Sequence, residues 1–356
     1  MQQSPVRRYI LNNLTQHQKD IVKAAVRKFG LSRQAVLRHM KVLILDGRVE
    51  AHGKTRDRYY VLKPLVNKLF EFQITPDLSE DVVGRNHIYP HLKNFSENVR
   101  EICEYGFSQI MNNVIAHSGG KECKIRLLIN DQSISMRIRD DGRKGIFSRV
   151  ASHYGLDDPR CAALELSKGK VSTDLKHHTG EGIFFAMRLF DRATIRSNGL
   201  MLRHTLSGGE WILEDSNERI RGTTVSFRIS RRAIQTLRGV MNDFSTNGNG
   251  LLLFDRTEVP VRLASIDSES LMSRSQARRL LRGLEQFHEV ALDFKAISSI
   301  GQPFADELFR VFPGENNKVR IVPNNTSPDV KVMIQRASNG EGIHETQPNG
   351  TKSGKL

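Results

Sequence analysis

The stretch Gln109-Ile-Met-Asn-Asn-Val-Ile-Ala-His117 decides the fold predicted for the middle of this chain. At a spacing of four residues, Gln109, Asn113 and His117 project from one side of a helix, and apolar side chains cover the side that packs. The carboxamide oxygen of Asn113 suits Mg²⁺, which prefers oxygen ligands and usually keeps substrate phosphates in its shell. Taken alone, an amphipathic helix with a polar wet face is the commoner explanation of such a pattern. The motifs that follow the helix are therefore needed to decide.

Composition indicates a globular chain of two or three domains. Its 356 residues are 38% hydrophobic, which is enough for several cores. No run of about 18 apolar residues occurs, and residues 1–8 lack an apolar signal core, so we expect neither a transmembrane helix nor a secretory leader. The three cysteines, Cys103, Cys123 and Cys161, are far apart. This usage predicts a cytoplasmic protein without disulfides and without a structural zinc site. The lack of a long apolar run predicts that no membrane is a partner.

The positive charge is concentrated near the N-terminus. The formal net charge is +15, and residues 1–67 hold 14 Lys or Arg against 4 Asp or Glu. A basic module of this kind indicates a polyanionic partner. A merely solvated basic surface is the alternative, but it would not require the charge to be gathered in one segment.

The basic segment has the pattern of three helices and a hairpin. Helical periodicity covers residues 7–14, 18–29 and 33–45, with Gly30 as a stop and Ser32 as an N-cap. Residues 48–62 then predict a β-hairpin whose tip is residues 53–56. This order resembles a winged helix-turn-helix domain, which we assign to residues 1–63.

The resemblance implies that this domain binds double-stranded DNA. In such folds the third helix enters the major groove, and the basic tip of the hairpin contacts phosphates or the minor groove. The residues implied in DNA contact are Arg33, Gln34, Arg38 and Lys41 on the helix and Lys54, Arg56 and Arg58 on the hairpin. A winged helix that serves only protein contacts or dimerisation is the alternative.

Three glycine-containing motifs follow the opening helix. Asp140-Asp-Gly142-Arg-Lys-Gly145 comes after two predicted strands, at 123–130 and 134–139. His178-Thr-Gly-Glu-Gly182 leads into an apolar helix, and Gly222-Thr223 begins another strand-like segment. Each motif is weak by itself. Their order after an Asn-bearing helix resembles the ATP-binding fold shared by gyrase, sensor histidine kinases and mismatch-repair ATPases, the Bergerat or GHKL fold.

This resemblance implies an ATP site within residues 91–230, which follow a connector at 64–90. Asp140 would accept a hydrogen bond from the adenine amine, supported by Thr223 directly or through water. Asn113 would hold Mg²⁺ against the phosphates. The implied nucleotide-binding residues are Asn113, His117, Asp140, Gly142, Gly145, His178, Thr179, Gly180, Gly182 and Thr223.

The glycines and the segment between them have implied roles as well. Glycine has no Cβ, so Gly142 and Gly145 would let the backbone approach the base and sugar. Gly180 and Gly182 precede a helix whose N-terminus would cradle phosphates. Residues 143–179 would form a mobile lid, and its candidate phosphate contacts are Lys168, Lys170, Lys176 and His178.

The sequence departs from the family pattern at two places. The first glycine motif is one residue longer than usual, which makes the role of Gly145 less defined than that of Gly142. In hydrolysing and serine-phosphorylating relatives, a Glu at the position of Gln109 acts as the general base. A Gln amide has essentially no basicity, so the resemblance implies that Mg–ATP is bound but turned over slowly or not at all. No phospho-accepting His motif lies upstream, which argues against histidine kinase activity.

From residue 231 onward the sequence alternates predicted strands and helices. The run Leu292-Asp-Phe-Lys-Ala-Ile-Ser-Ser-Ile-Gly301 resembles the STAS domain of anti-anti-sigma factors, which are phosphorylated on a Ser in an Asp-Ser-Ser-Gly turn. Here the matching turn, residues 301–304, lacks a hydroxyl. We therefore expect a STAS-like domain at 231–338 that is not phosphorylated at that turn, followed by a disordered tail at 339–356.

The expected fold class is thus multidomain α/β (α+β): a winged helix, a Bergerat-fold α/β sandwich and a STAS-like α/β domain. The combination resembles bacterial ATP-binding proteins that carry these three parts. The leading hypothesis is a DNA-binding regulator, with ATP and Mg²⁺ as cofactors, in which nucleotide binding changes conformation and the engagement of DNA or a protein partner. A homodimer would present two winged helices, and the STAS-like domain would dock the protein partner.

Two other functions remain open at this level. One is an ATPase or serine protein kinase of the anti-sigma partner-switching type, with the winged helix as a targeting module. The other is a non-enzymatic adaptor whose winged helix binds protein. A carboxylate at position 109 would have favoured the kinase or ATPase, and its absence favours the nucleotide switch.

Overall fold

A computed structural model shows a mixed α/β chain with several sheets. The structure describes residues 4–171, 180–218, 220–248, 251–265 and 269–338. The chain divides into two compact units. The first unit comprises Met1–Arg143, Leu189–Ile195 and Gly222–Thr236, and the second comprises Lys144–Arg188, Arg196–Arg221 and Leu237–Leu356. In the described residues, no helix combines the length and the apolar character that crossing a membrane requires.

The secondary structure elements are numbered in chain order. The α-helices are α1 Pro5–Asn13, α2 Ile21–Phe29, α3 Arg33–Leu45, α4 Glu80–Val83, α5 Glu97–His117, α6 Ile146–Tyr154, α7 Pro159–Lys168, α8 Gly182–Leu189, α9 Leu237–Asp243, α10 Arg274–Leu281, α11 Gln302–Asp306, α12 Phe312–Glu315 and α13 Pro328–Ala337. The strands are β1 Val49–His52, β2 Tyr59–Leu62, β3 Val66–Gln73, β4 Glu122–Ile129, β5 Ser133–Asp140, β6 Arg192–Ser197, β7 Leu200–Thr205, β8 Glu210–Asp215, β9 Thr223–Ser230, β10 Ser245–Gly248, β11 Leu251–Phe254, β12 Arg256–Pro260, β13 Glu289–Asp293 and β14 Arg320–Asn324.

The first three helices and the β1–β2 hairpin share one core. Gly30 takes a left-handed conformation (φ +61°) and ends α2 by donating its N–H to the Val26 carbonyl. Ser32 begins α3, since its Oγ accepts a hydrogen bond from the Ala35 N–H at 3.2 Å. The core formed by these elements consists of Val6, Ile10, Leu11, Leu14, Ile21, Ala25, Val36, Met40, Leu43, Val49 and Tyr60. Burial of this apolar set holds the short helices together.

The main sheet of the first unit has the strand order β3-β4-β5-β9-β6. The pairs β3–β4, β4–β5 and β5–β9 are antiparallel. Helix α5 packs on one face, over β5 and β9. Gly106 lets the helix come close, because a Cβ there would lie 2.5 Å from the Phe190 ring, which stacks on Phe227. Strand β3 lies within the segment for which the sequence suggested a connector.

The N-terminal helices are tied to the turn between β4 and β5. Asp131 in this turn is buried and pairs with the Arg48 guanidinium, which donates two hydrogen bonds to its carboxylate. Gln132 donates its side-chain N–H to the Leu11 carbonyl at 2.5 Å and accepts the Thr15 hydroxyl at 2.6 Å. These contacts join helices α1–α3 and the β1–β2 hairpin, here called the N-terminal module, to the turn before β5. Strand β5 ends at Asp140.

The second unit contains a parallel three-stranded sheet, β12-β13-β14. Helix α10 connects β12 to β13, and it begins with a capping box between Ser273 and Gln276. Helices α11 and α12 connect β13 to β14, and α13 follows the last strand. Strands β7 and β8 of this unit form an antiparallel hairpin. The βαβ connections are those of an α/β domain.

Candidate functional site

The Asp140 carboxylate lies where β5 ends, next to the start of β9 and to the loop that contains Gly142, here called the glycine loop. It is only 3% exposed. Its Oδ1 accepts the Gly142 N–H at 2.9 Å, and its Oδ2 accepts the Thr223 N–H at 3.2 Å. These two backbone N–H groups hold the carboxylate in a defined orientation.

Two glycines allow the chain to pass close to Asp140. A Cβ on Gly142 would overlap the carbonyl oxygen of Ser118, the residue after α5, and would lie 2.8 Å from the Asp140 Oδ1. Gly222 has φ +80°, and a Cβ there would overlap the Asp140 carbonyl oxygen. Both positions therefore require glycine for the backbone to close around the carboxylate.

The neighbouring Asp141 has a different set of partners. Its Oδ1 accepts the backbone N–H groups of Lys121 and Glu122, at 2.7 and 2.9 Å. These two bonds anchor the start of β4. The adjacent acids of the Asp-Asp-Gly motif thus hold different parts of the fold, and the sequence motif predicts a role only for Asp140.

The polar side of α5 carries Gln109, Asn113 and His117, each partly buried. The Asn113 Nδ2 donates to the Gln109 carbonyl oxygen at 2.8 Å. Because the carboxamide nitrogen is committed to the helix backbone, its oxygen is the atom left for a cation. Among the described residues, no group of three or more His, Cys, Asp or Glu side chains could hold a metal. A Mg²⁺ ion at Asn113 would therefore depend on phosphate and water oxygens for the rest of its shell.

The other predicted nucleotide residues belong to the second unit. Gly145 is the N-cap residue of α6 and has an extended backbone. Gly180 has φ +74°, and a Cβ there would lie 2.6 Å from the Val171 backbone. Gly182 is the first residue of α8. The predicted contacts His178 and Thr179, and the candidate Lys176, lie outside the described residues.

Lys170 and Glu181, which is next to Gly180 in the chain, carry opposite charges that interact with each other. Burial lowers the pKa of Lys170, and the Glu181 charge opposes that shift. Burial raises the pKa of Glu181, and Lys170 opposes it. The Lys170 ammonium donates to the Gln286 carbonyl at 2.9 Å and lies 4.5 Å from the centre of the Phe287 ring. Its position is thus set by the second unit's own residues.

Lys168, a candidate phosphate contact in the sequence, is fully buried. Its ammonium donates to the Glu165 carboxylate at 2.8 Å and to the carbonyl oxygens of Arg282 and Arg279, at 2.9 and 3.2 Å. Burial lowers its pKa, and Glu165 opposes the shift. The ammonium joins α7 to the C-terminal end of α10, where a positive charge is favoured. All three of its donors have protein partners, so this lysine serves packing.

The predicted DNA-contacting residues of α3 are all exposed. Gln34, Arg38 and Lys41 face away from the buried stripe of Val36, Met40 and Leu43, and Arg33 is exposed at the first position of the helix. In the part of the chain that the structure describes, no ion pair involves Arg33, Arg38 or Lys41. The exposed surface of this helix therefore presents uncompensated positive charge.

The hairpin places further basic residues beside its tip. Lys54 and Arg58 are exposed, and the Arg58 guanidinium lies 5.7 Å from the centre of the Tyr60 ring. Residues 55–57 form a 3₁₀ turn, and Gly53 permits it because a Cβ there would overlap the Asp57 carbonyl. The side chain of Arg56 lies outside the described residues.

A cavity at the parallel sheet was not anticipated from the sequence. It measures about 460 Å³ and is lined by loops that follow β12 and β13, including Arg262 and Ser298. Ligands of α/β sheets bind at the carboxyl ends of strands. Its Arg160, however, already pairs with Asp215 at 3.0 Å. The exposed Ser298 and Ser299 in the β13–α11 loop line this cavity. The sequence around them does not predict a cavity, because its other walls come from distant parts of the chain.

Comparison with known proteins bears on the C-terminal region. Residues 276–331 match a family described as "STAS-like domain of unknown function (DUF4325)". The match extends from α10 to the first turn of α13 and includes β13 and β14. No curated protein matches the chain. The C-terminal part of this α/β chain is therefore similar to a STAS-like domain.

Proposed function

We propose that this chain is a DNA-binding regulator whose affinity for DNA or for a protein partner changes when it binds Mg–ATP. The observation that carries the proposal is the Asp140 carboxylate, oriented by the Gly142 and Thr223 N–H groups. A buried carboxylate of this kind can accept the exocyclic amine of adenine. Guanine offers a carbonyl at the corresponding position, which a carboxylate repels. The site therefore favours ATP over GTP.

The polar face of α5 supports binding more than turnover. The Asn113 carboxamide nitrogen donates to the helix backbone, which leaves its oxygen as the atom for a Mg²⁺ ion. Gln109, one turn earlier, cannot accept a proton from water or a hydroxyl. These features favour a nucleotide switch over the ATPase or kinase alternative.

The N-terminal module supports the DNA component. Its third helix presents Arg33, Arg38 and Lys41 to solvent, and the adjacent hairpin presents Lys54 and Arg58. Arginine and lysine on a helix face and a hairpin tip are the contacts that a winged helix makes with a duplex. The STAS-like region would supply the contact to a protein partner in the same regulator.

Thermal unfolding with ATP, ADP or GTP, with and without Mg²⁺, tests the nucleotide component. At a concentration of 100 times Kd, ATP should stabilise the chain by about 2.7 kcal/mol and raise the midpoint by about 4 °C. Mg²⁺ should increase this shift, and GTP should produce a much smaller one. Equal shifts with GTP and ATP, or no shift with either, would contradict the proposal.

Two neighbouring variants provide a matched pair for the same experiment. Asp140→Asn removes the charge that selects adenine, so the ATP-induced shift should be lost. Asp141→Asn removes an equal charge from the carboxylate that anchors β4, and its ATP-induced shift should persist. Each shift is measured from the variant's own midpoint, which separates ligand binding from any loss of stability.

A further inference from the structure

One face of the main sheet in the first unit is strongly basic. Residues of β4 and β5 alternate between buried and exposed. The Cys123 sulfur lies 3.8 Å from that of Met111 on α5, so the buried side faces the helix. The opposite side, here called the basic sheet face, carries Lys124, Arg126, Arg137, Arg139, Arg192 and Arg228.

Like charges stand directly opposite one another on this face. The strand register pairs Arg126 with Arg137 and Lys124 with Arg139. Such cross-strand pairs have Cβ atoms about 5 Å apart and destabilise the sheet. Glu71 offsets only part of the charge, through its 3.0 Å contact with Lys124. A sheet that keeps these pairs gains stability when an anion binds between them.

The arginines surround a shallow depression of about 340 Å³. Its lining includes Arg126, Arg137, Arg192 and Arg228, and no acidic residue from the described ranges. Within the same ranges, no ion pair or side-chain hydrogen bond involves Arg137, Arg192 or Arg228. Their guanidinium groups are free to make the paired hydrogen bonds that they form with phosphates.

We propose that the basic sheet face binds the phosphate backbone of duplex DNA as a second surface, beside the N-terminal module. This inference rests on the proposed function, since both surfaces would hold one duplex. The Gln132 contact with Leu11 joins the module to the β4–β5 turn of the same unit. Side chains on these strands repeat about every 5 Å across the sheet and every 7 Å along it. This array suits a polymer of closely spaced phosphates better than a single anion.

The chemistry of the face favours a duplex over a single strand. Proteins that bind single strands stack the bases on aromatic side chains. The outward-facing residues of β3, β4, β5, β9 and β6 include no aromatic ring: they are Arg, Lys, Ser, Thr, Leu, Asn, Gln and Glu. Contacts to phosphates alone position a duplex without reading its sequence.

Fluorescence anisotropy with a 30-base-pair duplex over a series of NaCl concentrations tests the proposal. The face variant is Arg137→Gln with Arg228→Gln. The matched control is Arg238→Gln with Arg282→Gln, which removes two exposed arginines of the second unit that are unpaired within the described residues. A third variant, Arg38→Gln with Lys41→Gln, tests the N-terminal module separately.

The face variant should lower the slope of log K against log salt by about 1.8, because each phosphate contact contributes about 0.9. At 0.15 M NaCl this corresponds to roughly 30-fold weaker binding. The control should bind like the unmodified chain. The face variant should unfold at the same or a higher temperature, because it removes like-charge repulsion, so weaker binding would not reflect unfolding.

The outcomes separate the two proposals. An unchanged slope in the face variant, or an equal loss in the control, would overturn the second surface while the module variant still tests the first. Loss of binding in the face variant alone would support the second surface and contradict the role of α3. A single strand that competes as well as the duplex would overturn the choice of partner. A chain that does not bind the duplex would overturn both.

Discussion

At the scale of residues, adjacent side chains of one motif bind backbone groups in different parts of the fold. Asp140 holds the glycine loop and the start of β9, whereas Asp141 holds the start of β4. The sequence motif indicated the position of Asp140, because its glycine neighbours are close in the chain. It could not indicate the task of Asp141, since Lys121 lies 20 residues away. Lys168 is a similar case, because its carbonyl partners come from α10.

Gly142→Ala tests the close approach of the glycine loop. The new Cβ would overlap the Ser118 carbonyl oxygen, so we expect a loss of about 1–3 kcal/mol in the free energy of unfolding. Gly314→Ala is the control, because no atom lies within 4 Å of a Cβ there and the residue is helical. It should be neutral or slightly stabilising. Urea denaturation would measure both, and equal midpoints for the two variants would contradict the geometry.

Gln109→Glu tests the absence of a general base. A carboxylate at this place on α5 could accept a proton from water, so ATP hydrolysis should rise by about 100-fold. Gln109→Ala should leave the slow basal rate nearly unchanged, because the amide contributes no basicity. Release of inorganic phosphate measures both rates. If Gln109→Glu hydrolyses ATP no faster than the unmodified chain, Gln109 does not limit turnover.

His204 predicts a pH dependence of stability. It is 5% exposed, and burial, aided by the Arg188 charge, lowers its pKa from 6.5 to about 3. The folded chain keeps the ring neutral while the unfolded chain protonates it, so this stability is present above pH 6.5 and is lost as the pH falls. From pH 6.5 to 5 the loss is about 2 kcal/mol. His204→Asn, which keeps a donor for the Met187 carbonyl, should flatten the stability curve. If the stability of the variant and of the unmodified chain changed equally with pH, His204 would not cause the pH dependence.

At the scale of elements, the sequence predicts helices whose ends are marked by nearby residues, but it does not predict strands that form by pairing with distant segments. Helix α3 occupies the range expected, Arg33–Leu45, because Ser32 and Gly47 mark its ends locally. The sequence predicts a connector where β3 lies, because the strand forms by pairing with β4, about 50 residues later. The expectation of a STAS-like C-terminal domain is confirmed for residues 276–331. Its alternation of strands and helices is visible within a short range of sequence.

The contact between the N-terminal helices and the sheet can be measured with a double-mutant cycle. Arg48→Ala and Asp131→Ala should show a coupling free energy of about 1–2 kcal/mol, because Asp131 is buried and doubly hydrogen-bonded. The exposed pair Arg85 and Asp81, at 2.8 Å, is the control and should show at most about 0.5 kcal/mol. Chemical denaturation gives both values. Equal coupling in the two pairs would mean that the contact does not anchor the helices.

At the scale of the whole molecule, strand β5 connects the two proposed activities within the first unit. It begins beside Gln132, which holds the N-terminal helices, and it ends at Asp140. A ligand that binds differently to two arrangements of this strand would change the affinity of the other site. The N-terminal module contacts the turn before β5, and the basic sheet face includes β5 and its neighbour β4. Sequence motifs are enough to suggest this function. The link through β5 between the N-terminal module and Asp140 cannot be predicted from them, because Leu11 and Gln132 are far apart in the chain.

The affinity for duplex DNA in the presence and absence of saturating Mg–ATP tests this account most directly. Fluorescence anisotropy at fixed ionic strength should show a change in Kd of at least about 5-fold. By linkage, saturating duplex should change the Kd for ATP by the same factor. The Asp140→Asn variant should bind the duplex with one Kd under both conditions. An unmodified chain that binds both ligands, yet shows the same Kd for DNA with and without Mg–ATP, would contradict the account.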